Sequence, residues 1–492
     1  MSEQNEKDIT VPLYIHLAND LNDQINHGYY RPGDRLPSVR KMAEVRGLSI
    51  TTILNAYQEL ENRDVITALP QSGYYVSYKK LNKPLGAKFE ISQPKLVDII
   101  DLVKLVLHDS LDESLEQFGA ALSPEEILPT DQLNRILKKV LSSKDIKQNV
   151  TGSAEGTRVL REQISRQMFL LNTNVSVDEI LITSGCNEAI FLALSSICKP
   201  GDEVAVESPC YFGVLHILQE LKLRVIEIPS DSSVGIDIEK LEFALNNFQI
   251  KAVYLNSNCN NPMGCSIPQE RKRKIVELTS RFDVPVIEDD STGELFFGKN
   301  RPDILKAYDK KGLVIYCSSF SKILSPTYRV GWILPGKYID QVTRLKQAIN
   351  VGTATLQQIT IAEYLSSGNY ERHLRKVREI YQHRVKQMRS DIFETFPPET
   401  FVSNPQGGFN LWIQLPKTVD SFDLYNECKK QHISLTPGAI FTTDGKYDNF
   451  IRLSASFYND DKKHFIKTMG ELVDHCSRKD ENGKITLEKL MK

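Results

Sequence analysis

SSFSKILSPTYRVGW, residues 318–332, places a lysine directly after a strand-like apolar run. That run, GLVIYCSS at residues 312–319, is short and ends in polar residues, which predicts a buried β-strand. A side chain at the carboxyl end of such a strand projects into the crevice where α/β proteins bind ligands. Since an amine there can form a Schiff base with a carbonyl cofactor, Lys322 is the first candidate for chemistry.

Similar apolar runs recur on the amino-terminal side of this stretch and alternate with helical segments. The predicted strands are EILITSG at 179–185, DEVAVESP at 202–209, RVIEIPS at 224–230, KAVYLNSN at 251–258 and VPVIEDDS at 284–291. Segments such as NEAIFLALSSICK at 187–199 and IPQERKRKIVELTSRF at 267–282 are predicted helices between them. From about Phe118 the chain therefore predicts an α/β domain with a mostly parallel sheet, and ligands at the carboxyl ends of its strands.

The predicted strand ends supply the other groups that pyridoxal 5'-phosphate requires. A carboxylate must keep the pyridine nitrogen protonated, and Asp289 follows a strand. A helix N-terminus and a cation suit the phosphate. The candidates are the amides of Gly185, Cys186 and Asn187 with Arg329 for the phosphate, Tyr211 to stack on the ring and Asn261 to donate to the ring hydroxyl.

These motifs are similar to those of the fold-type I aminotransferases of the aspartate/aminoadipate group. SFSK followed by RVG is the strongest, and EDD, NPMG, PQGGFNLW and IRLSAS fall in the family's order between about 118 and 475. The resemblance implies a smaller α+β C-terminal subdomain. It also implies that Lys322 is the Schiff-base lysine, that Ser319, Ser321 and Arg329 hold phosphate, and that Arg452 binds the substrate α-carboxylate as a bidentate partner.

Two positions depart from the family pattern. Where the family commonly has a tyrosine shortly after the pyridine aspartate, this chain has Ser291 and Thr292. Where it usually supplies a tyrosine to the neighbouring subunit's phosphate, the chain has Thr151. Losing two phenolic hydrogen bonds costs about 1 kcal/mol each. These two losses disfavour fast turnover.

The first eighty residues predict a second, independent unit. Leucines and an isoleucine recur every fourth residue from Leu13 to Ile25, and the pattern stops at Gly28. A second helix is predicted from about Ser38 to Gly47, and Ser49 caps a third with Ile53, Ala56, Tyr57 and Leu60 on one face. VITALPQSGYYVS at 65–77 predicts a hairpin, so the arrangement is a winged helix-turn-helix.

This unit resembles the DNA-binding domain of the GntR family, with PGDRLPSVR at 32–40 its most specific piece and AYQEL at 56–60 typical of the MocR branch. Around its second and third helices Arg31, Arg35, Arg40, Lys41 and Arg46 outnumber Asp34 and Glu44, which makes a local phosphate-facing patch. The resemblance places Arg35, Arg40, Ser49, Thr51 and Thr52 near DNA, and Ser72 and Gly73 at the wing tip. Ile50 and Leu54 replace frequent basic residues, so base preference should differ.

Composition narrows the class of protein. At 492 residues two or more domains are expected, and a net charge of −2 means that any nucleic acid is bound by a local surface. Eight cysteines without CxxC or CxxH spacing suggest neither a metal site nor disulfides. No apolar run approaches eighteen residues, so we expect no membrane span, no signal peptide and a cytoplasmic location.

The whole chain resembles the MocR/GabR arrangement of bacterial transcription regulators. We assign 11–78 to the winged helix, 79–117 to a linker and entry helix, 118–475 to the aminotransferase-like domain and 476–492 to a charged tail. The resemblance implies a homodimer that binds an operator in double-stranded DNA. An amino-compound effector would form an external aldimine in place of the Lys322 bond, change domain closure and reposition the DNA-binding units.

Two other functions stay open from the sequence. One is a working aminotransferase with a regulatory or vestigial DNA-binding unit. The other is a cofactor-free repressor that uses the aminotransferase fold as a scaffold. The residues name neither the effector nor the operator, nor whether the target gene is activated or repressed.

Overall fold

The computed structural model describes residues 12–26, 29–30, 34–63, 65–69, 73–76, 89–142 and 153–477. These residues belong to two compact units, one within Met1–Lys83 and the other within Pro84–Lys492. Four residues used in the sequence analysis, Gly28, Arg31, Ser72 and Thr151, lie outside the described residues, as does the chain from residue 478 onward.

The first unit is a winged helix-turn-helix, as predicted. Its elements are α1 (Leu13–Asn26), α2 (Val39–Arg46), α3 (Ile50–Asn62), β1 (Ile66–Leu69) and β2 (Gly73–Val76). The two strands pair antiparallel to form the wing. Ser38 caps α2 by accepting the N–H of Lys41 at 3.3 Å, and Gly47 ends that helix at a φ of 62°, a left-handed conformation that suits glycine.

A small apolar core holds this unit together. Ile53, Ala56, Tyr57 and Leu60 are buried on one face of α3, as their spacing predicts, and pack with residues of α1 such as Leu21. The Tyr57 hydroxyl donates to the carbonyl of Pro37 at 2.8 Å, which ties α3 to the segment before α2. The opposite face of α3 is thereby left for solvent or a partner.

The second unit is built on a nine-stranded mixed sheet. Its strands are β3 (Lys95–Leu96), β5 (Leu181–Thr183), β6 (Glu203–Ser208), β7 (Arg224–Asp231), β8 (Gly235–Ile236), β9 (Ile250–Asn256), β10 (Val286–Asp289), β11 (Val314–Ser319) and β12 (Gly331–Leu334). They follow the order β3-β7-β6-β9-β10-β11-β12-β5, with β8 beside β7. β7, β6, β9, β10 and β11 are mutually parallel, and β12 is antiparallel to its neighbours. The predicted mostly parallel sheet is confirmed.

Helices cover both faces of this sheet. They are α4 (Ile100–Asp109), α5 (Thr130–Ser142), α6 (Arg158–Leu170), α7 (Cys186–Ile197), α8 (Phe212–Glu220), α9 (Ile238–Asn247), α10 (Gln269–Arg281), α11 (Ile339–Ile349), α12 (Thr355–Ser366) and α13 (Asn369–Thr395). On β6, Val204 and Val206 belong to one core cluster and Ala205 to another. Successive residues of a strand point to opposite faces of the sheet. The sequence of a strand in a sheet covered on both sides is therefore a continuous run of apolar residues. Within the described ranges no helix has the length and apolar character to cross a bilayer.

A smaller antiparallel sheet forms the C-terminal part of the second unit. Its strands are β13 (Phe401–Val402), β14 (Asn410–Gln414), β16 (Thr436–Pro437) and β17 (Phe450–Ser454), in the order β13-β14-β17-β16. Nearby, β4 (Glu116–Gln117) pairs with β15 (Ile433–Ser434), and α14 (Ser421–Lys430) and α15 (Lys463–Ser477) pack alongside. Cys476, which the sequence analysis assigned to the tail, is buried in α15.

Residues 89–117, assigned from the sequence to a linker and entry helix, are an integral part of the second unit. Strand β3 joins the large sheet beside β7, and α4 buries Val103 and Val106 in the main core. At its last residue the carboxylate of Asp109 accepts the Tyr425 hydroxyl and, at 2.7 Å, the ammonium of Lys429. These contacts join the segment to α14.

We expect Asp109→Ala to lower the free energy of unfolding of the second unit by about 2 kcal/mol, because the substitution leaves the Tyr425 hydroxyl without its acceptor. Both tryptophans, Trp332 and Trp412, lie in this unit, so the midpoint of urea unfolding followed by fluorescence reports on it. Glu113→Ala, at an exposed position of the same segment, is the control. Equal midpoints for the two variants would contradict the docking of residues 89–117.

Candidate functional site

The carboxyl ends of β9, β10 and β11 bring polar residues together at one edge of the large sheet. The register places Asp289 of β10 between Asn256 of β9 and Cys317 of β11. Asp289 is 4% exposed. A buried carboxylate requires partners, and its surroundings therefore define the site.

Three donors hold the Asp289 carboxylate. The Tyr254 hydroxyl donates to Oδ2 at 3.0 Å, the Ser291 backbone N–H donates to Oδ1 at 2.9 Å, and the Cys186 thiol donates to Oδ1 at 3.5 Å. The Asn256 side chain donates to the Asp289 carbonyl at 2.7 Å. This carboxylate is fixed in position at the base of the crevice, where the sequence placed the partner of a pyridine nitrogen.

Lys322 lies next to this carboxylate, just beyond β11. Its ammonium makes no hydrogen bond or ion pair with any residue in the described ranges, while its backbone carbonyl accepts the Ser123 hydroxyl at 2.6 Å. Burial lowers the pKa of Lys322, the charge of Asp289 raises it, and Arg452 lowers it further. A lowered pKa increases the fraction of free amine, the form that attacks a carbonyl.

The N-terminus of α7 and Arg329 form an anion cradle. Gly185 precedes the helix at a φ of 94°, and a Cβ atom on it would lie 2.6 Å from Nη2 of Arg329. The guanidinium donates to the Ser184 carbonyl at 3.1 Å and to the Ser321 hydroxyl at 3.3 Å. The first amides of a helix lack partners within the helix, so the amides of Cys186 and Asn187 together with Arg329 fit a phosphate.

Among the described residues, Arg452 is a buried cation without a counter-ion. It is 1% exposed on β17, and it donates to the Thr436 hydroxyl at 2.8 Å, to the Gly119 carbonyl, and weakly to the Asn261 side-chain oxygen at 3.4 Å. Its Nε atom has no hydrogen-bond partner, and no carboxylate of the described residues pairs with it. Burial lowers the pKa of Arg452 to about 10. A buried unpaired guanidinium costs stability, and the carboxylate of a ligand would supply its missing partner.

Tyr211 and Asn261 lie between these groups. The ring of Tyr211 leaves no room for a side chain at Gly213, where a Cβ atom would be 2.6 Å from it. Burial, followed by the charge of Asp289, raises the pKa of Tyr211 to about 12, so its hydroxyl stays protonated. The Asn261 backbone N–H donates to the Asn256 side-chain oxygen at 3.0 Å. The crevice thus contains the predicted ring partners.

Thr292, one of the two residues at the position of the family's tyrosine, has its hydroxyl engaged elsewhere. Thr292 is buried, and its hydroxyl donates at 3.4 Å to the Asn258 carbonyl. Ser291 contributes its backbone N–H to Asp289. The neighbouring Asp290 belongs to a separate network, in which it accepts the Tyr316 hydroxyl at 2.7 Å and pairs with Arg301.

Two site residues escaped the sequence analysis. Tyr254 holds Asp289, and Glu207 accepts the Asn256 backbone N–H at 2.7 Å. Burial raises the pKa of Glu207 to about 8. The two-residue spacing of Tyr254 and Asn256 on β9 predicts a shared face, but a strand buried on both sides does not indicate which face borders the site.

The residues predicted to approach DNA fall into two groups, exposed residues and residues of the α3 cap. Arg40 and Thr51 are exposed, and Arg35 lies against the wing, 6.0 Å from the ring centre of Tyr75. Ser49 accepts the N–H of Thr52 at 3.1 Å, and the hydroxyls of these two residues lie 2.8 Å apart. Ser49 is therefore the N-cap of α3, and it holds both the backbone N–H and the hydroxyl of Thr52. Within the described ranges, no cluster of three or more His, Cys, Asp or Glu residues is arranged to hold a metal.

We expect Arg452→Met to raise the free energy of unfolding by about 1 kcal/mol, because it removes an unpaired buried charge. The Gly119 carbonyl keeps the Thr436 hydroxyl as its donor at 2.8 Å, and the partner that loses a donor is the Asn261 side-chain oxygen, which Arg452 holds weakly at 3.4 Å. The matched control is Arg301→Met, which strips Asp290 and Glu294 of a buried partner and should cost about 3 kcal/mol. Fluorescence-monitored urea midpoints measure both, and equal losses would show that Arg452 is an ordinary structural arginine.

The raised pKa of Glu207 predicts a pH-dependent stability. The folded state binds this proton more tightly than the unfolded state, so stability is greatest below the ordinary glutamate pKa and falls as pH rises toward about 8. Glu207→Gln cannot ionise, so its advantage over the parent should grow by about 1.4 kcal/mol per pH unit between about pH 6 and pH 8. Urea midpoints across this range test the expectation, with the exposed Glu277→Gln as the control. A constant difference would contradict it.

Comparison with known proteins agrees with both units. Residues 13–76 match the bacterial regulatory proteins of the gntR family, and residues 125–468 match aminotransferase class I and II. The chain is 39% identical over 464 residues to YjiR of Escherichia coli (strain K12), described as an uncharacterized HTH-type transcriptional regulator, covering 94% of this chain and 98% of YjiR. It is 28% identical to the HTH-type transcriptional regulator NorG of Staphylococcus aureus (strain USA300), over 88% of this chain and 98% of NorG.

Among solved structures, a kynurenine aminotransferase of Pyrococcus horikoshii, in complex with PMP, superposes with a TM-score of 0.71 at 29% identity. It covers 78% of this chain and 95% of that structure. The aminotransferase structure matches about as much of the chain as the second unit contains. YjiR, in contrast, matches nearly the whole chain. The chain belongs to the HTH-type transcriptional regulators in which a GntR-family DNA-binding domain is joined to a class I and II aminotransferase domain.

Proposed function

We propose that this regulator binds pyridoxal 5'-phosphate at Lys322 and changes its hold on operator DNA when a carboxylate-bearing amine enters the site. One observation carries the proposal. A half-buried amine and a buried guanidinium, Lys322 and Arg452, lie close enough to influence each other's electrostatics, and neither has an acidic partner at hydrogen-bond distance in the described ranges. An amino acid presents the amine and the carboxylate that suit such a pair.

The residues of the crevice fit the cofactor. The amides of the α7 N-terminus, the hydroxyls of Ser319 and Ser321 and the guanidinium of Arg329 would hold the phosphate. Asp289 would keep the ring nitrogen protonated, Tyr211 would stack on the ring and Asn261 would donate to the ring hydroxyl. When bound, the cofactor supplies an electrophilic carbonyl that exchanges one amine for another.

Arg452 would turn binding into a conformational signal. It stands on β17 of the smaller sheet, but its contacts include Gly119 and Asn261, which lie elsewhere in the second unit. A carboxylate placed between these elements would satisfy the guanidinium and favour the arrangement that brings them together. A complete switch requires about 5.5 kcal/mol of differential binding, which a bidentate ion pair combined with covalent attachment can supply.

We extend the proposal to assembly and location. The fold-type I resemblance implies a cytoplasmic homodimer, with 11–78 binding double-stranded DNA and 118–475 binding the cofactor and effector. An active aminotransferase is the alternative, because the same Lys322 and Arg452 suit turnover. The hydroxyl of Thr292, directed to the Asn258 carbonyl, favours sensing over fast turnover since it does not replace the lost tyrosine.

We expect purified protein to gain a visible absorption band with pyridoxal 5'-phosphate, and borohydride to fix the cofactor to Lys322 so that peptide mass mapping finds it there. Lys322→Ala should lose the band and the labelled peptide while still binding DNA, because the DNA-binding unit is separate. Lys376→Ala, at an exposed position of α13, should behave as the parent.

Arg452→Met separates cofactor binding from effector binding. It should keep the band but lose the spectral change and operator release caused by amino acids, while amines without a carboxylate act equally on both proteins. A Lys322→Ala protein that still releases DNA in response to amino acids would overturn the proposed switch. An absent band in the parent protein would leave the cofactor-free repressor as the function.

A further inference from the structure

Both faces of α3 carry large apolar residues, but one face is buried in the first unit and the other is exposed. Ile53 and Leu60 are fully buried in the core of the first unit. On the other side, Ile50 is 51% exposed and Leu54 is 44% exposed. They are four residues apart, so they lie above one another on the helix surface. The exposed pair is thus a short apolar stripe beginning at the first residue of the helix.

The polar groups of the same turn are already engaged. Ser49 and Thr52 satisfy the helix N-terminus and each other through the cap. Their side chains are therefore less free to contact bases than the sequence suggested. Ile50, Leu54 and the exposed Thr51 are the groups that α3 presents outward at its start.

The stripe lies in a unit whose exposed charge is largely basic around the same helices. Arg35 and Arg40 are exposed, and neither forms an ion pair with a residue in the described ranges. An apolar protein partner gains little beside unpaired cations, whereas DNA offers phosphates for the arginines and one apolar group, the thymine C5 methyl, in the major groove.

We propose that Ile50 and Leu54 read thymine methyl groups in the major groove and give this regulator a preference for A·T pairs at those positions. The inference rests on the proposed DNA-binding function. In a helix-turn-helix the N-terminal residues of the second helix approach the base edges, and both side chains lie in the first turns of α3. Four residues of helix rise about 6 Å, which spans about two base steps. The two thymines should therefore lie about two base pairs apart.

The test begins with the full chain and a random duplex pool. Repeated selection yields the preferred binding site. Each thymine in that site is then replaced singly by deoxyuridine, which pairs identically but lacks the methyl. For the parent protein, we expect replacement at two thymines to weaken binding by about three- to five-fold each, the effect of one buried methyl group.

Variant proteins assign each methyl to its side chain. Leu54→Ala should bind the thymine site more weakly than the parent and should be insensitive to deoxyuridine at one of the two positions only. Ile50→Ala should be insensitive at the other. Val45→Ala is the matched control, because Val45 is 66% exposed but lies on α2, and it should keep the full response at both positions.

The possible outcomes are distinguishable. Binding without any methyl effect, or methyl effects retained in both Ile50→Ala and Leu54→Ala, would overturn thymine readout while leaving DNA binding intact. A change of oligomeric state in these variants without a methyl effect would assign the stripe to protein contact and also overturn it. Failure to select any site would instead count against the proposed DNA-binding function.

Discussion

The buried carboxylate of Asp289 is the constraint on which the site depends. Burying a carboxylate to 4% exposure costs stability unless surrounding groups donate hydrogen bonds to it. Here a tyrosine hydroxyl, a thiol and a backbone N–H do so. Those donors come from β9, the start of α7 and the turn after β10. Holding one carboxylate therefore fixes three elements relative to one another, and Lys322 and the α7 N-terminus take their places around it.

Arg452 differs from Asp289 in how its buried charge is accommodated. Its guanidinium donates to neutral acceptors alone, and its Nε atom has no partner, so the protein retains a cation whose electrostatic partner is missing among the described residues. Elsewhere in the same unit, Arg301 pairs with Asp290 and Glu294 as a structural arginine does. The contrast distinguishes a group kept for stability from one that is available for a ligand, since an unpaired buried charge lowers stability and a paired one can be neutral.

The sequence predicted local features well because local physics governs them. The start of α2 near Ser38, the cap at Ser49, the buried stripe of α3 and the strands that end at Ser208, Asp289 and Ser319 all follow from spacing and residue type. Pairing between segments that are distant in the sequence was predicted less well. Residues 89–117 were assigned to a linker and entry helix; the helix is present, but β3, which joins the large sheet beside β7, was not predicted from the sequence.

By itself the sequence determined the two kinds of unit, the order of their elements and the residue types at the strand ends, because periodicity and caps depend on neighbours within a turn or two. Only the tertiary structure decided which polar groups meet. Cys186 reaches Asp289 across 103 positions of sequence and Arg452 reaches Gly119 across 333. Burial, lowered or raised pKa values and the absence of an acidic partner for Arg452 among the described residues are properties of such encounters, and no local pattern encodes them.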